Sequence, residues 1–169
     1  MQTELYFSEV VYDHWSFYIL ANNNGLIFVG SSPKNKEELE GWVSRLPFKT
    51  TLARDDQKLF LYIQQFEEYL SKKRENFTFP VELIGTPFQI MVWKALLGIP
   101  YGQTVTYSDI AATLNKGATH SRAVGTAIGK NPLQIVYPCH RVGPKNGAPR
   151  GFRGGLPMKM DLLELEGNK

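Results

Sequence analysis

A break in composition near residue 80 constrains this 169-residue chain more than any single motif does. Residues 1–80 carry 9 Lys and Arg against 11 Asp and Glu, whereas residues 81–169 carry 10 against 5, so the formal charge of +3 conceals a near-neutral half and a basic one. Glycine divides the same way, with 11 of 15 lying from Gly98 to Gly167, where tight turns and close backbone approach become possible. The length permits one domain or two small ones, and the shift favours two: residues 1–80 and residues 81–169. A basic half suggests an anionic partner, nucleic acid being the commonest large one, although solvated surface explains the charge equally well.

Several classes are excluded at once. No stretch approaches the roughly 18 uninterrupted apolar residues of a membrane span, and Met1-Gln2-Thr3-Glu4 lacks the basic and apolar regions of a secretory signal. A cytoplasmic location is therefore expected, with no membrane partner. One cysteine and three histidines, His14, His120 and His140, cannot form a disulfide framework or easily supply a closed zinc site.

The first half reads as strands followed by helix. Leu5 and Phe7 alternate with Glu4 and Tyr6, and Asn22-Asn23-Asn24-Gly25 is a hairpin signal between residues 15–20 and 26–29. Leu59, Ile63, Phe66 and Leu70 follow helical spacing from Asp55-Asp56. Residues 77–86, punctuated by Pro80, read as a strand and connector, and nothing in this half suggests catalysis.

The second half has a helical layout. Thr86 is a cap and Pro87 a first helical residue for a stretch with Phe88, Val92, Leu96 and Ile99 in register. Thr104-Val105-Thr106 reads as extended, and residues 108–114 as a helix with Ile110, Ala111 and Leu114 inward, stopped by Asn115-Lys116-Gly117. A third helix spans roughly residues 119–128, completing a helix-turn-helix. Its Gly125 costs up to about 1 kcal/mol relative to alanine, so this helix must need small side chains, for a nucleic-acid groove or for tight packing.

Residues 133–137 read as a short apolar strand running into Pro138-Cys139-His140-Arg141-Val142. A lone cysteine is more often a small buried hydrophobe than a nucleophile. His140 and Arg141 alter that balance, because nearby cations favour the thiolate. In an extended segment His140 would point away from the Cys139 sulfur, so a water bridge would have to join them.

At this point the motifs form a pattern. Ser121-Arg122-Ala123-Val124-Gly125, Gly129-Lys130-Asn131-Pro132, Pro138-Cys139-His140-Arg141-Val142, Gly154-Gly155-Leu156 and Leu162-Leu163-Glu164-Leu165-Glu166-Gly167 occur in the order found in the O6-alkylguanine-DNA alkyltransferases, the methylated-DNA:protein-cysteine methyltransferases. The chain resembles that family over residues 86–167. Residues 1–80 resemble its variable N-terminal domain in length and in strand-then-helix order only. The implied fold is α+β, an N-terminal β-sheet with helices and a C-terminal winged helix-turn-helix domain carrying the reactive cysteine.

The resemblance implies a role for each matching residue. Cys139 would take the alkyl group from O6 of guanine, His140 would deprotonate it through water, and Glu166 would orient His140. Asn131 would brace the active-site turn, and Tyr107 would donate a hydrogen bond to the departing base. The backbone of Cys139 and Val142 would accept from the guanine amino group, and the loop of Phe152, Arg153 and Gly154 would close over the base. Arg122 would fill the stack vacated by the rotated nucleotide, with Ala123, Gly125 and Ala127 letting the helix enter the minor groove. Lys94, Lys116, Lys130 and Lys145 would contribute to phosphate contacts that dominate affinity independently of sequence. The product thioether is stable, so each molecule would act once, as a monomer on duplex DNA. The sequence contains no Gly-rich phosphate loop or dinucleotide fingerprint, so no cofactor is expected. Zinc is not expected either, because family members that bind it use cysteines absent here.

Two positions depart from the family pattern: Phe152 stands in place of tyrosine, and Arg153 is a large cation where smaller residues are common. Two other readings stay open, a non-catalytic winged-helix sensor of alkyl damage and a cysteine hydrolase. The first lacks a use for Cys139, and the second wants a base directly beside the sulfur.

Overall fold

In the computed structural model, which describes residues 2–144 and 152–167, the chain forms two compact units, Met1–Leu83 and Ile84–Lys169. Among the described residues no helix is long and apolar enough to cross a membrane.

The first unit is a four-stranded sheet with two helices. Strands β1 (Thr3–Tyr12), β2 (Trp15–Ala21) and β3 (Leu26–Val29) pair antiparallel in sequence order, and β4 (Thr50–Arg54) adds to the far side of β1 in parallel. Helix α1 (Lys36–Ser44) supplies the crossover, and α2 (Phe60–Leu70) follows β4. Phe17 and Ile19 on β2 are fully buried, and the Phe17 ring meets Phe66 of α2 edge-on at 5.3 Å. The Asn22 carboxamide oxygen accepts from the Asn24 and Gly25 amides, closing the hairpin read from the sequence.

Residues 77–86 differ from the expected strand. They make one isolated bridge, Leu26 to Val81, with the Leu26 amide donating to Pro80 and the Glu82 amide donating to Leu26. Pro80 and Pro87 interrupt any longer ladder by removing donors. The contact also explains Gly25: a Cβ there would lie 2.7 Å from the Pro80 carbonyl carbon.

The second unit contains α3 (Pro87–Leu96), β5 (Val105–Thr106), α4 (Tyr107–Thr113), α5 (Ser121–Gly129), β6 (Val142–Gly143) and α6 (Leu156–Leu165). Thr86 and Gln89 form a reciprocal capping box at the start of α3, with Pro87 in the first turn. Thr106 and Asp109 form another on α4. Helix α4 stops where Asn115 turns left-handed, and a 3-10 turn, Ala118–His120, leads into α5. Helices α3, α4 and α5 pack together, and the indole of Trp93 on α3 donates to the Ala127 carbonyl of α5 at 2.8 Å. The short strands β5 and β6 pair in parallel.

Residues 133–137 also differ from expectation, because they form a turn and not a strand. Ile135 is left-handed at φ 74°, an unusual state for a β-branched residue, and the Tyr137 amide donates back to Leu133 at 2.9 Å. Apolar content alone could not separate a buried strand from a buried turn here. The chain then coils through a 3-10 turn, Cys139–Arg141, in place of the extended run the sequence suggested.

Candidate active site

The site is built on the turn that presents Cys139. Asn131, itself buried, donates from its side chain to the Tyr137 carbonyl at 2.8 Å and accepts from the Leu133 amide at 2.9 Å. Those two bonds satisfy backbone groups of a loop that has no ladder to pair with. They also hold Ile135 in its strained state. The sulfur ends up in the interior, with Cys139 5% exposed. Burial pushes the thiol pKa above its ordinary value, while a hydrogen bond from Asn131 and the charges of Arg153 and Lys159 act in the opposite direction.

His140 follows on the 3-10 turn and is fully buried. Its Nε2 lies 2.8 Å from Glu166 Oε2, and its Nδ1 is buried with no hydrogen-bond partner among the described residues. The ring is therefore not bonded directly to the Cys139 sulfur. Burial lowers the His140 pKa, and Glu166, through its hydrogen bond and its charge, only partly offsets this. Glu166 sits at the C-terminal cap of α6, which delivers its carboxylate to the residue 139–141 turn.

Arg141 corrects one expectation. Its Nε and Nη2 grip the Glu166 carboxylate at 2.8 and 2.9 Å, and its Nη1 donates to the Ile99 carbonyl at 2.7 Å. The guanidinium is thus committed to Glu166, and it is Arg153 and Lys159 whose charge reaches the thiol. A cation next in sequence is not a cation next in space when the backbone coils.

Lys159 is a residue the sequence reading missed. It is 2% exposed, its Nζ donates to the Val142 carbonyl at 2.7 Å, and burial lowers its pKa. Its spacing from Leu162, three residues on along α6, places it on the buried face, and this was the only available signal. A cavity of about 260 Å³ is lined by His140, Val142 and Lys159 together with Thr104, Thr106 and Asp109.

The remaining candidates separate into groups. Tyr107 begins α4 and is half-buried, and a Cβ on Gly125 would meet its ring at 3.6 Å. Arg122 and Ala123 are exposed on α5 and Gly125 is half-buried. Ala127 belongs elsewhere, because it is 3% exposed and its carbonyl takes the Trp93 bond. Its small size serves helix packing, which corrects the expected groove contact. Val142 is buried beside Lys159. Phe152, Arg153 and Gly154 are half-buried, and a Cβ on Gly154 would press on the Met158 sulfur and lie 2.8 Å from the Phe152 ring, so a larger residue there would force those side chains to shift. Lys94 and Lys130 are exposed and Lys116 is half-buried, while Lys145 lies outside the described residues.

Comparison with known proteins agrees with this geometry. Residues 87–168 match the DNA binding domain of 6-O-methylguanine DNA methyltransferase, and residues 5–83 match the ribonuclease-like domain of the same family. The inducible methylated-DNA–protein-cysteine methyltransferase of Bacillus subtilis is 52% identical over 162 residues, covering 96% of this chain and 90% of the relative. The Methanosarcina barkeri methylated-DNA–protein-cysteine methyltransferase is 41% identical over 80% of each chain. Among solved structures, the O6-methylguanine methyltransferase of Mycobacterium tuberculosis superposes with a TM-score of 0.81 at 29% identity, covering 96% of this chain and 92% of the other. The same species' protein in complex with DNA superposes with a TM-score of 0.74 at 31% identity, over 95% and 92%. With both halves matched in order and the cysteine site lying within the second, the chain belongs to the 6-O-methylguanine DNA methyltransferase family.

Proposed function

We propose that this protein repairs DNA by direct reversal, moving the alkyl group of O6-alkylguanine irreversibly onto Cys139. The observation that carries the reading is the relay geometry: a buried thiol braced by Asn131, followed by an imidazole whose Nε2 is tied to Glu166 and whose Nδ1 is uncommitted. The Glu166 bond leaves Nδ1 as the imidazole's acceptor, which is what a general base needs.

In the proposed step, a water carries the thiol proton to His140 Nδ1. The sulfur lone pair forms a C–S bond as the C–O6 bond breaks. The electron pair passes to O6 and into the purine ring, which Tyr107 steadies by a hydrogen bond, and the proton returns to the departing guanine. Because O6 lies on the pairing edge inside the duplex, the nucleotide must rotate out, with Arg122 and Ala123 of α5 in the minor groove and Arg122 taking its place in the stack. Phe152 and Gly154 would wall the base, and the Val142 backbone would accept from its amino group. Val142 already accepts from Lys159, whose buried cation then sits beside the base site.

Residues 81–169 would hold the DNA-binding and alkyl-acceptor functions and residues 1–80 a structural one, with the protein acting as a cytoplasmic monomer. The test is intact mass and product yield after exposure to a duplex containing O6-methylguanine. Gain of one methyl, one equivalent of repaired base and loss of both in Cys139→Ala are expected. Product well beyond one equivalent, or no gain by folded protein, overturns the proposal.

A further inference from the structure

Residues 99–102, in the connection between α3 and β5, converge on the clamp that holds His140. The Ile99 carbonyl accepts from Arg141 Nη1 at 2.7 Å, the Tyr101 ring centre lies 5.6 Å from the Arg141 guanidinium carbon, and the Gly102 amide donates to Glu166 Oε1 at 3.4 Å. Arg141 Nε donates to that same oxygen, while Oε2 meets both Arg141 Nη2 and His140 Nε2. Two N–H groups thus meet each carboxylate oxygen, which matches the roughly four acceptor sites a carboxylate offers. Glycine is required at position 102 for two separate reasons. Its φ of 81° is left-handed, and a Cβ there would lie 3.1 Å from the carbonyl oxygen of Glu166, the residue that caps α6.

We propose that Tyr101 and Gly102 are positioning residues for the proton transfer, fixing the Glu166 carboxylate and, through it, the orientation and tautomer of His140. This rests on the alkyl-transfer reading above. The last torsion of a glutamate is soft, so a carboxylate turns readily unless its donors are themselves fixed. If it turned, His140 Nε2 would lose the bond that leaves Nδ1 as the acceptor. Arg141 resists that rotation only while its own plane is held. Glu166 and Ile99 hold the edges of the guanidinium, and the Tyr101 ring steadies it by a cation–π contact. The Gly102 amide is a main-chain donor and cannot swing away as a side chain can. The same stretch of chain runs on through β5 into Tyr107 at the start of α4, so one segment sets both the group that steadies the departing base and the group that orients the general base.

The test uses the full chain and reads three quantities: the first-order transfer step on saturating duplex containing O6-methylguanine, affinity for the same duplex without the lesion, and the imidazole nitrogen resonances of His140, which distinguish its two tautomers. Gly102→Ala should slow transfer by about tenfold or more, as expected when a reacting group is displaced by a fraction of an ångström. Tyr101→Leu should slow it by about threefold or more, the worth of a partly buried cation–π contact. In both, duplex affinity should hold while the His140 resonances move from one tautomer toward a mixture. Tyr101→Phe keeps the ring face and should return the native rate and spectrum. Where Gly102→Ala fails to fold, Tyr101→Leu decides. A native rate in Tyr101→Leu or in folded Gly102→Ala, slowed transfer with the His140 resonances unmoved, or a Tyr101→Phe as slow as Tyr101→Leu overturns the assignment and leaves the alkyl-transfer reading standing. Absence of methyl transfer in the unsubstituted protein overturns that reading and the assignment with it.

Discussion

Replacing Glu166 by glutamine tests the network that links α6 to the nucleophile. The substitution keeps shape and removes one charge. In the native protein the carboxylate accepts from His140 Nε2, from Arg141 Nε and Nη2, and from the Gly102 amide at 3.4 Å. A glutamine offers one acceptor oxygen and an NH2 group. Whichever way the amide is turned, its NH2 faces an Arg141 N–H, and the buried guanidinium loses its counter-charge. Breaking one side of a buried pair in this way costs about 3–5 kcal/mol, a large share of the roughly 5–15 kcal/mol that holds a typical domain together. Denaturant titration of the second unit should show that loss. Adding Arg141→Met removes the orphaned cation and should recover roughly half or more of it, since most of the penalty is the unpaired charge. Recovery is incomplete because the Ile99 carbonyl loses the Nη1 donor. Methyl transfer should stay at least about tenfold slow in the double variant, because His140 still lacks its carboxylate and a positioned base contributes on the order of 10²–10⁴. A loss below about 1 kcal/mol in Glu166→Gln, the range of exposed pairs, would refute the reasoning. So would a double variant no more stable than the single one.

Gly125→Ala should raise the denaturation midpoint, because alanine gains up to about 1 kcal/mol in a helix interior and its Cβ meets the Tyr107 ring at an ordinary 3.6 Å. Transfer from duplex DNA should fall by about tenfold or more if α5 enters the groove as proposed, because the new methyl would then meet the extruded base; undiminished transfer would show that the glycine does not serve the ligand. Arg122→Ala, at an exposed position, should change stability by less than about 0.5 kcal/mol while slowing transfer from duplex far more than from single-stranded substrate. Equal slowing on both would remove Arg122 from the stack. For pH, burial lowers the His140 pKa, so below about 6.5 the unfolded chain binds a proton that the folded one resists. Its contribution is fully present above about pH 6.5 and is lost as the pH falls toward the folded pKa, at up to about 1.4 kcal/mol per unit. Denaturation across this range should show the slope, and a His140→Gln variant that retains all of it would refute the assignment.

What the sequence made legible was local chemistry. The α3 start could be read because Thr86, Pro87 and Gln89 each act within one turn, and the β2–β3 hairpin because Asn22 bonds its own neighbours. The helix-turn-helix followed from apolar spacing and the Asn115 stop. Helix α1 and strand β4 were not read: α1 buries only Leu39, and β4 is a short edge strand whose partner lies 47 residues earlier, Thr3 facing Thr50. Within the site, Cys139, His140 and Asn131 could be named, whereas the backbone that relates them could not. The left-handed Ile135 is fixed by two bonds from Asn131, a constraint no apolar pattern encodes. The same gap misplaced the Arg141 charge, assigned Ala127 to the groove and hid Lys159. Each of those depends on which way a side chain faces after the turn is made.

A buried thiol with a raised pKa looks poorly suited to attack carbon, yet the terms nearly balance. Each unit of elevation removes about tenfold of the thiolate at a given pH, but intrinsic nucleophilicity grows with basicity at a Brønsted slope of about 0.4–0.5, returning about threefold. The net deficit is only about threefold per unit. A base that takes the proton as the substrate arrives can make that up, and so can the Asn131 hydrogen bond and the positive charges of Arg153 and Lys159. Burial also has a use specific to a nucleophile consumed by its product. A thiol that is mostly protonated and out of solvent resists oxidation and stray electrophiles, which follow thiolate character and exposure. For a site that reacts once, keeping the sulfur idle until a base is inserted matters as much as its speed afterwards.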